Sequence, residues 1–334
     1  MDERKLIKTG NFSLTVALPK DWIKRHKLDK GNSVFVTEQE DGLLISPKKT
    51  KFKTYNKQLE INADETPLNG ITRDIVAGYL TNVQAIKIYG KNLRKIIREC
   101  KKRIFQLSGL EIIEETSDSL LIKDLINLDE IIIPDILHRI DIILRSMFED
   151  AKQCIRNKDH ELAEAIIERD EEVNRLVFLI YKVINYINEH PDQGKAHGLN
   201  PTYATHIWEL NGYFEKIGDE IKRFARLIPE TKFEKKDLVN ISTLLEETES
   251  FFTNCMGTMY KNKIKENDEF SSNRMKILKK ANNILPKTKK FEQKTMINKL
   301  KIIISFTNSI SRISRYLHFE KHLISKGNIL PKYL

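Results

Sequence analysis

The stretches that decide the fold at the start of the chain are NFSLTVALPKDW at residues 11–22, KGNSVFV at 30–36 and DGLLISP at 41–47. The first alternates apolar and small side chains up to Pro19, and this period of two predicts a β-strand. Proline is well placed in the first turn of a helix, so we predict a short helix over 20–26. Two more strands are predicted at 34–36 and 43–45, joined by a hairpin at 40–42.

A segment of about 50 residues with four short strands and one small helix is too small to bury a core alone, and such folds usually need dimerisation or staples. The segment contains no cysteine, so a disulfide is not available. We therefore expect residues 1–50 to form an intertwined homodimer. Trp22 lies one turn into the predicted amphipathic helix and is expected in the core rather than stacked on a base.

The composition limits the class of protein. The chain has 334 residues, 40% hydrophobic and 31% charged, which predicts a soluble protein of two or three domains. The net charge of +10 favours an acidic partner such as nucleic acid. Cys100, Cys154 and Cys255 form no CxxC pair and favour free thiols in a reducing cytoplasm. No signal peptide and no membrane span are expected.

The first segment resembles the SpoVT/AbrB-type swapped-hairpin DNA-binding domain. The resemblance rests on these residues: Arg4-Lys5, Gly10, Ser13-Leu14, Leu18-Pro19, Trp22, Leu28, Lys30-Gly31, Asp41-Gly42 and Pro47. In that family two chains interleave their hairpins, and basic loop and helix residues meet DNA. The residues expected to contact DNA are therefore Arg4, Lys5, Lys8, Lys20, Lys24 and Arg25. Asn11-Phe12 stands where bacterial members often carry an arginine.

Residues 51–134 are expected to form a small α/β module in the order β-α-β-α-β-β, with strands at 58–61, 85–89, 110–114 and 119–123 and helices at 72–80 and 93–107. The module contains no phosphate loop and no catalytic triad, so a connector or a second dimer contact is its expected role. Its second helix, within 91–103, is strongly basic. A solvated face is the favoured interpretation, and contact with nucleic acid is the alternative.

Residues 135–326 are predicted to be helical throughout, with two three-helix units over 135–230 and 236–326. Expected breaks lie near 157–159, 190–194, 229–230, 261–268 and 291–294, which gives six long helices. The run from Lys261 onward is rich in lysine. A solvated helix face is the slightly favoured interpretation of this run, and an electrostatic surface for an acidic partner is the alternative.

The sequence EKIGD at 215–219 places Glu215 and Asp219 four residues apart, on one face of a helix beside an apolar stripe. Asp170 and Asn174 have the same spacing on the preceding helix. Two such faces opposed would make one oxygen-rich site for a divalent or iron-type metal. Ordinary solvated acidic faces are the alternative.

The six-helix tandem with this motif resembles PhoU, the phosphate-uptake regulator, whose (E/D)xxxD motifs can hold metal clusters. The chain departs from that pattern at Asn174, and both acids of the second unit are replaced, by Ser311 and Arg315. Residues 279–283 offer no acidic pair either. The resemblance therefore implies at most one metal site, formed by Asp170, Glu215 and Asp219 with Asn174 as a further ligand.

The domain order resembles archaeal phosphate-uptake regulators that join both domains in one chain. We expect a phosphate-responsive transcriptional regulator that binds DNA and is not an enzyme. The alternative is an adaptor that does not bind DNA and inhibits a phosphate ABC transporter, through its ATPase, or the transporter's signalling partner. A di-metal oxygenase bundle requires Glu-x-x-His twice, and no Glu in this chain is followed three residues later by His.

Overall fold

The computed structural model describes residues 3–10, 13–39, 42–47, 57–190, 201–261 and 267–325. The chain divides into two compact units, Met1–Tyr55 and Asn56–Leu334. No helix in the described ranges is both long enough and apolar enough to cross a membrane. Parts of the predicted breaks at 190–194 and 261–268, and most of the hairpin at 40–42, lie outside the described residues.

The first unit contains two antiparallel strand pairs and one short helix. Strands β1 (Ile7–Thr9) and β2 (Ser13–Thr15) pair with each other, and β3 (Phe35–Gln39) pairs with β4 (Gly42–Ser46). Helix α1 (Lys20–Arg25) begins directly after Pro19, as predicted. The β2 strand ends at residue 15 instead of continuing to the proline.

The second unit begins with a four-stranded mixed sheet and two helices, and the predicted β-α-β-α-β-β order is confirmed. The elements are β5 (Gln58–Asn62), α2 (Leu68–Leu80), β6 (Ala85–Tyr89), α3 (Leu93–Phe105), β7 (Leu110–Glu115) and β8 (Ser119–Asp124). The strand order is β5-β6-β8-β7, with β5 and β6 parallel and the other neighbours antiparallel. Alternate residues of β6 and β8 are buried, so one face of the sheet forms the core with the helices.

Gly109 sets the tight turn between α3 and β7. Its φ of +84° lies in the left-handed region, and a Cβ built there would come within 2.6 Å of the Ile126 Cβ atom. Glycine is the residue that satisfies both conditions without steric cost. The helix itself ends at Phe105, two residues before the predicted end at 107, and Gly109 serves the turn that follows.

The remainder of the described chain is helical, with the six long helices that were predicted. They are α4 (Ile133–Asn157), α5 (His160–Glu189), α6 (Pro201–Leu227), α7 (Lys235–Lys261), α8 (Asn267–Ile284) and α9 (Phe291–Ser325). One hydrophobic core runs from Leu128 to Leu317 and includes residues of all six helices. The two three-helix units are therefore packed into a single core.

Local sequence explains two of the helix boundaries. Asp159 caps α5 because its carboxylate accepts hydrogen bonds from the backbone N–H groups of Glu161 and Leu162, at 2.9 and 3.2 Å. The break before the last helix lies at residues 285–290, and α9 already begins at Phe291, so the predicted break at 291–294 was a few residues too late. Pro286 explains the difference, because proline removes a backbone donor and disfavours the helical conformation in the preceding residue.

The sheet module is joined to the helices by a buried lysine. Lys182 on α5 is fully buried, lies 2.6 Å from the carboxylate of Asp124 and donates a hydrogen bond to the Tyr79 carbonyl at 2.9 Å. The neighbouring Asn185 side chain donates to the carbonyl of Leu80 at 2.8 Å. These contacts satisfy backbone carbonyls at the end of α2, so the module and the α4–α9 helices form one compact unit.

Candidate functional site

The basic residues predicted to meet DNA are all exposed. Lys8 lies on β1, and Lys20, Lys24 and Arg25 lie on α1. Lys20 and Lys24 are one helical turn apart and so share a face of α1. Arg4 and Lys5 precede β1 and are also exposed.

The first unit has no buried residue among those whose burial is described. Instead it exposes large apolar side chains on all four of the strands described for it and on the segments beside them. Their exposed fractions include 65% for Leu6, 63% for Leu14, 57% for Val36 and 64% for Leu43. Trp22 is half-buried and contacts the His26 ring, so it is not a core residue within one chain. A surface of this kind is typical of a segment that is completed by a partner.

The second candidate site lies on α6, where the acidic EKIGD motif stands beside the apolar stripe. The apolar stripe beside the acids is buried, as expected, and consists of Ile207, Leu210, Phe214, Ile217, Ile221 and Phe224. Asp170 on α5 is 2% exposed, and it lies against this part of α6. The helix faces predicted to oppose each other are therefore adjacent.

A lysine that the sequence analysis did not single out connects the two faces. The ammonium group of Lys222 lies 2.5 Å from a carboxylate oxygen of Asp170 and 2.6 Å from one of Asp219. The Asn174 side chain donates to the same Asp170 oxygen at 3.1 Å. Lys222 is three residues from Asp219, and this spacing was the one sequence signal that could have indicated the pair.

The ion-pair network continues to the second three-helix unit. Arg223 pairs with Asp219 at 3.0 Å and also with Glu220. Glu220 is buried and lies 3.0 Å from the ammonium of Lys299 on α9. Arg315, which replaces an acid of the second unit, is exposed. The charged residues of α6 therefore link α5 to α9.

The pKa values of these groups follow from burial and from their neighbours. Burial raises the pKa of Asp170, and the hydrogen bond from Lys222 opposes that change. Burial also raises the pKa of Glu215, and the negative charges of Asp219 and Asp170 add to the effect. Among the described residues, no cation lies within ion-pair distance of Glu215, so it is the least compensated acid of the group.

Gly218 allows Asp170 to approach the backbone of α6. A Cβ at this position would lie 3.3 Å from the free Asp170 carboxylate oxygen and 3.4 Å from the side chain of Leu144. Both contacts are tight, so glycine suits this position in the EKIGD motif. The sequence alone does not reveal this, because Asp170 and Gly218 are far apart along the chain.

The arrangement does not fit a resident metal ion. The Lys222 ammonium occupies the space between Asp170 and Asp219 where a cation would bridge them, and Arg223 neutralises Asp219 further. Across the described ranges, no three His, Cys, Asp or Glu side chains form a metal-binding group. One buried oxygen of Asp170 has no hydrogen-bond partner in those ranges, and a single oxygen is not a cation site. Metal binding at this site stays a prediction.

Comparison with known families identifies two parts of the chain. Residues 137–228 match the PhoU domain, and residues 7–53 match the antidote-toxin recognition domain MazE, a bacterial antitoxin. No curated protein and no solved structure matched the chain. PhoU domains point to phosphate homeostasis, MazE/AbrB-like domains point to DNA binding or to binding of the antitoxin type, and both families are regulatory and non-enzymatic. The two matches confirm the predicted fusion, in which an N-terminal segment similar to MazE and AbrB precedes a helical region similar to PhoU.

Proposed function

We propose that this chain is a phosphate-responsive transcriptional regulator of phosphate uptake that binds DNA through its first unit and works in the cytoplasm. The observation that carries the proposal is the presence, in one chain, of a MazE-like segment with exposed basic residues and a PhoU-like helical region. The three cysteines are buried free thiols, which suits a reducing compartment.

The DNA-binding form in this proposal is a homodimer that two copies of residues 1–50 assemble. The support is the set of exposed apolar side chains on short strand pairs, together with the absence of buried residues among those described in this unit. Two interleaved copies would cover these side chains and present two sets of basic residues to DNA. Light scattering of the full chain tests this, and a monomer at micromolar concentration would contradict it.

The proposal is tested by a gel shift with promoter DNA of phosphate-transport genes at physiological salt. The Lys24→Glu/Arg25→Glu variant is expected to lose binding, because two phosphate contacts change to repulsion. Neutralising a single contact residue, as in Lys24→Gln, should reduce the salt slope by about one. The matched control is Lys95→Glu/Lys102→Glu, which makes the same charge change at exposed positions on α3. Equal loss of binding in both double variants would refute the assigned interface, because net charge alone or contact with the basic helix α3 would then account for DNA binding.

The second candidate function is that of an adaptor that inhibits a phosphate transporter ATPase, with the first unit serving only to dimerise. The PhoU match favours it, because that domain points to phosphate homeostasis without requiring DNA. The gel shift separates the two functions. The adaptor function would be favoured over the regulator function by one result. In it, the wild-type protein retains no DNA at physiological salt but lowers the ATPase activity of a phosphate transporter.

A further inference from the structure

A cavity of about 740 Å³ lies in the second three-helix unit, away from the acidic motif on α6. It is formed by the start of α7, the end of α8 and the segment that leads into α9. Seven of the thirteen described residues that line it are lysines, and the acids among them are Glu234 and Asp237. Such an excess of positive charge around a concave surface attracts anions.

The lysines come from all three parts of the wall. Lys276, Lys279 and Lys280 lie on one face of α8, because their spacing is three and four residues, and Lys236 faces them from α7. Like charges at that spacing repel one another, so their convergence costs stability unless an anion neutralises them. Lysines near the C-terminal end of a helix are stabilised by the helix dipole, and this applies to the lysines at the end of α8. The lysines on α7 and before α9 do not lie at the C-terminal end of a helix, so they gain no such stabilisation.

Among the described residues, most of these ammonium groups have no counter-ion within ion-pair distance. Lys280 pairs with Glu247 at 2.6 Å, and Lys290 donates to the backbone carbonyl of Lys232. Within the described ranges, the other five lysines of the cavity form no ion pair. The starts of α7 and α9 also meet here, since the cavity includes Asp237 in the first turn of α7 and residues 287–290 just before α9. The N-terminal ends of helices favour negative charge and add to the attraction.

The shape and chemistry of the cavity define the ligand. Its volume is in the range of small-molecule sites, roughly 300–1,000 Å³, and it is a cleft about half open to solvent. None of the described residues that line it is aromatic, so they offer no platform on which a nucleobase would stack. We propose that this cavity binds a compact anion carrying several phosphate groups, such as an inorganic oligophosphate or an inositol polyphosphate. This goes beyond the proposed function, because such binding requires neither DNA nor the first unit.

The test is isothermal titration calorimetry of the full chain near physiological ionic strength, with inorganic triphosphate and inositol hexakisphosphate as probes. Saturable binding of either probe, at one site per chain, is expected. Lys276→Gln/Lys279→Gln should weaken it by at least about tenfold, since each substitution removes a charge-assisted hydrogen bond to the anion. The matched control Lys95→Gln/Lys102→Gln removes the same charge from α3 and should change the affinity less than about twofold, since exposed charges beyond the Debye length of about 8 Å are largely screened.

Three results would overturn the proposal. The first is the absence of saturable binding of both probes. The second is equal weakening in the two double variants, which would indicate diffuse attraction to net charge. The third is duplex DNA binding that falls in Lys276→Gln/Lys279→Gln while both probes bind that variant normally, which would assign these lysines to a DNA surface. DNA binding through the first unit is measured separately, so failure here leaves the proposed function untouched.

Discussion

Replacing Lys222 by Met is expected to destabilise the helical region strongly, because it leaves the carboxylate of Asp170 buried without a cation. Asp170 is 2% exposed and Lys222 is 15% exposed, so both charges are withdrawn from water. Removing one partner of a buried ion pair costs about 3–5 kcal/mol. Asp170 keeps its hydrogen bond from Asn174, and Asp219 keeps Arg223, so we expect the lower end of that range. The melting temperature should fall by about 5 °C for a unit of this size.

The measurement is thermal unfolding of the full chain with chelator present. The double variant Asp170→Asn/Lys222→Met should recover most of the loss, because no charge is left buried. Lys294→Met, at an exposed position on α9, is the control and should melt as the wild type does. The effect of Lys222→Met should shrink from about pH 7 to about pH 4, since a protonated Asp170 needs no cation. A wild-type melting temperature for Lys222→Met near pH 7 would refute the reasoning.

The same experiment tests the metal site predicted from the sequence. If Lys222 serves as the resident cation, chelator should leave the wild-type melting temperature unchanged. Lys222→Met frees the carboxylates, and Mn²⁺ should then recover part of the lost stability. If the wild type binds a metal instead, saturation to a hundred times the dissociation constant would stabilise it by about 2.7 kcal/mol, and chelator would remove that gain.

Three further predictions concern other parts of the second unit. Lys182→Met should lower the free energy of unfolding by about 3 kcal/mol, because it leaves the carboxylate of Asp124 without its cation. The double variant Lys182→Met/Asp124→Asn should lose less stability, and equal losses in urea titrations would contradict this. Glu215→Gln should stabilise the protein near pH 7 by at least a few tenths of a kcal/mol. Because the folded-state pKa of Glu215 is raised, its destabilising effect appears as pH rises through that pKa. The stability gained in Glu215→Gln should therefore vanish below the unfolded-state pKa of about 4.3. A gain that persists below that pH would show that charge is not the cause. Gly109→Ala should lower the melting temperature, because a Cβ there collides with Ile126 and φ is positive; an unchanged melting temperature would show that the turn relaxes at no cost.

The sequence by itself determined the element order and the buried stripe of α6. Both depend on local periodicity, which a reader of the sequence can follow over one helix or strand. The short apolar runs at 85–89 and 119–123 predicted two strands of the sheet module, and the apolar stripe beside the EKIGD motif predicted the face of α6 that is buried. The EKIGD motif and the N-terminal stretches were sufficient to suggest both families, because each is a contiguous pattern.

Only the tertiary structure decided which charges meet. Asp170 and Lys222 are 52 residues apart, and Lys182 is separated from the Tyr79 carbonyl by 103. No local pattern specifies such partners, because ion pairing depends on distances that helix packing sets. The lysines at the start of α7, the end of α8 and the approach to α9 likewise share a cavity only because those segments meet in the folded unit. Periodicity predicts which face of a helix is buried, whereas the identity of the group opposite that face is a property of the packed structure.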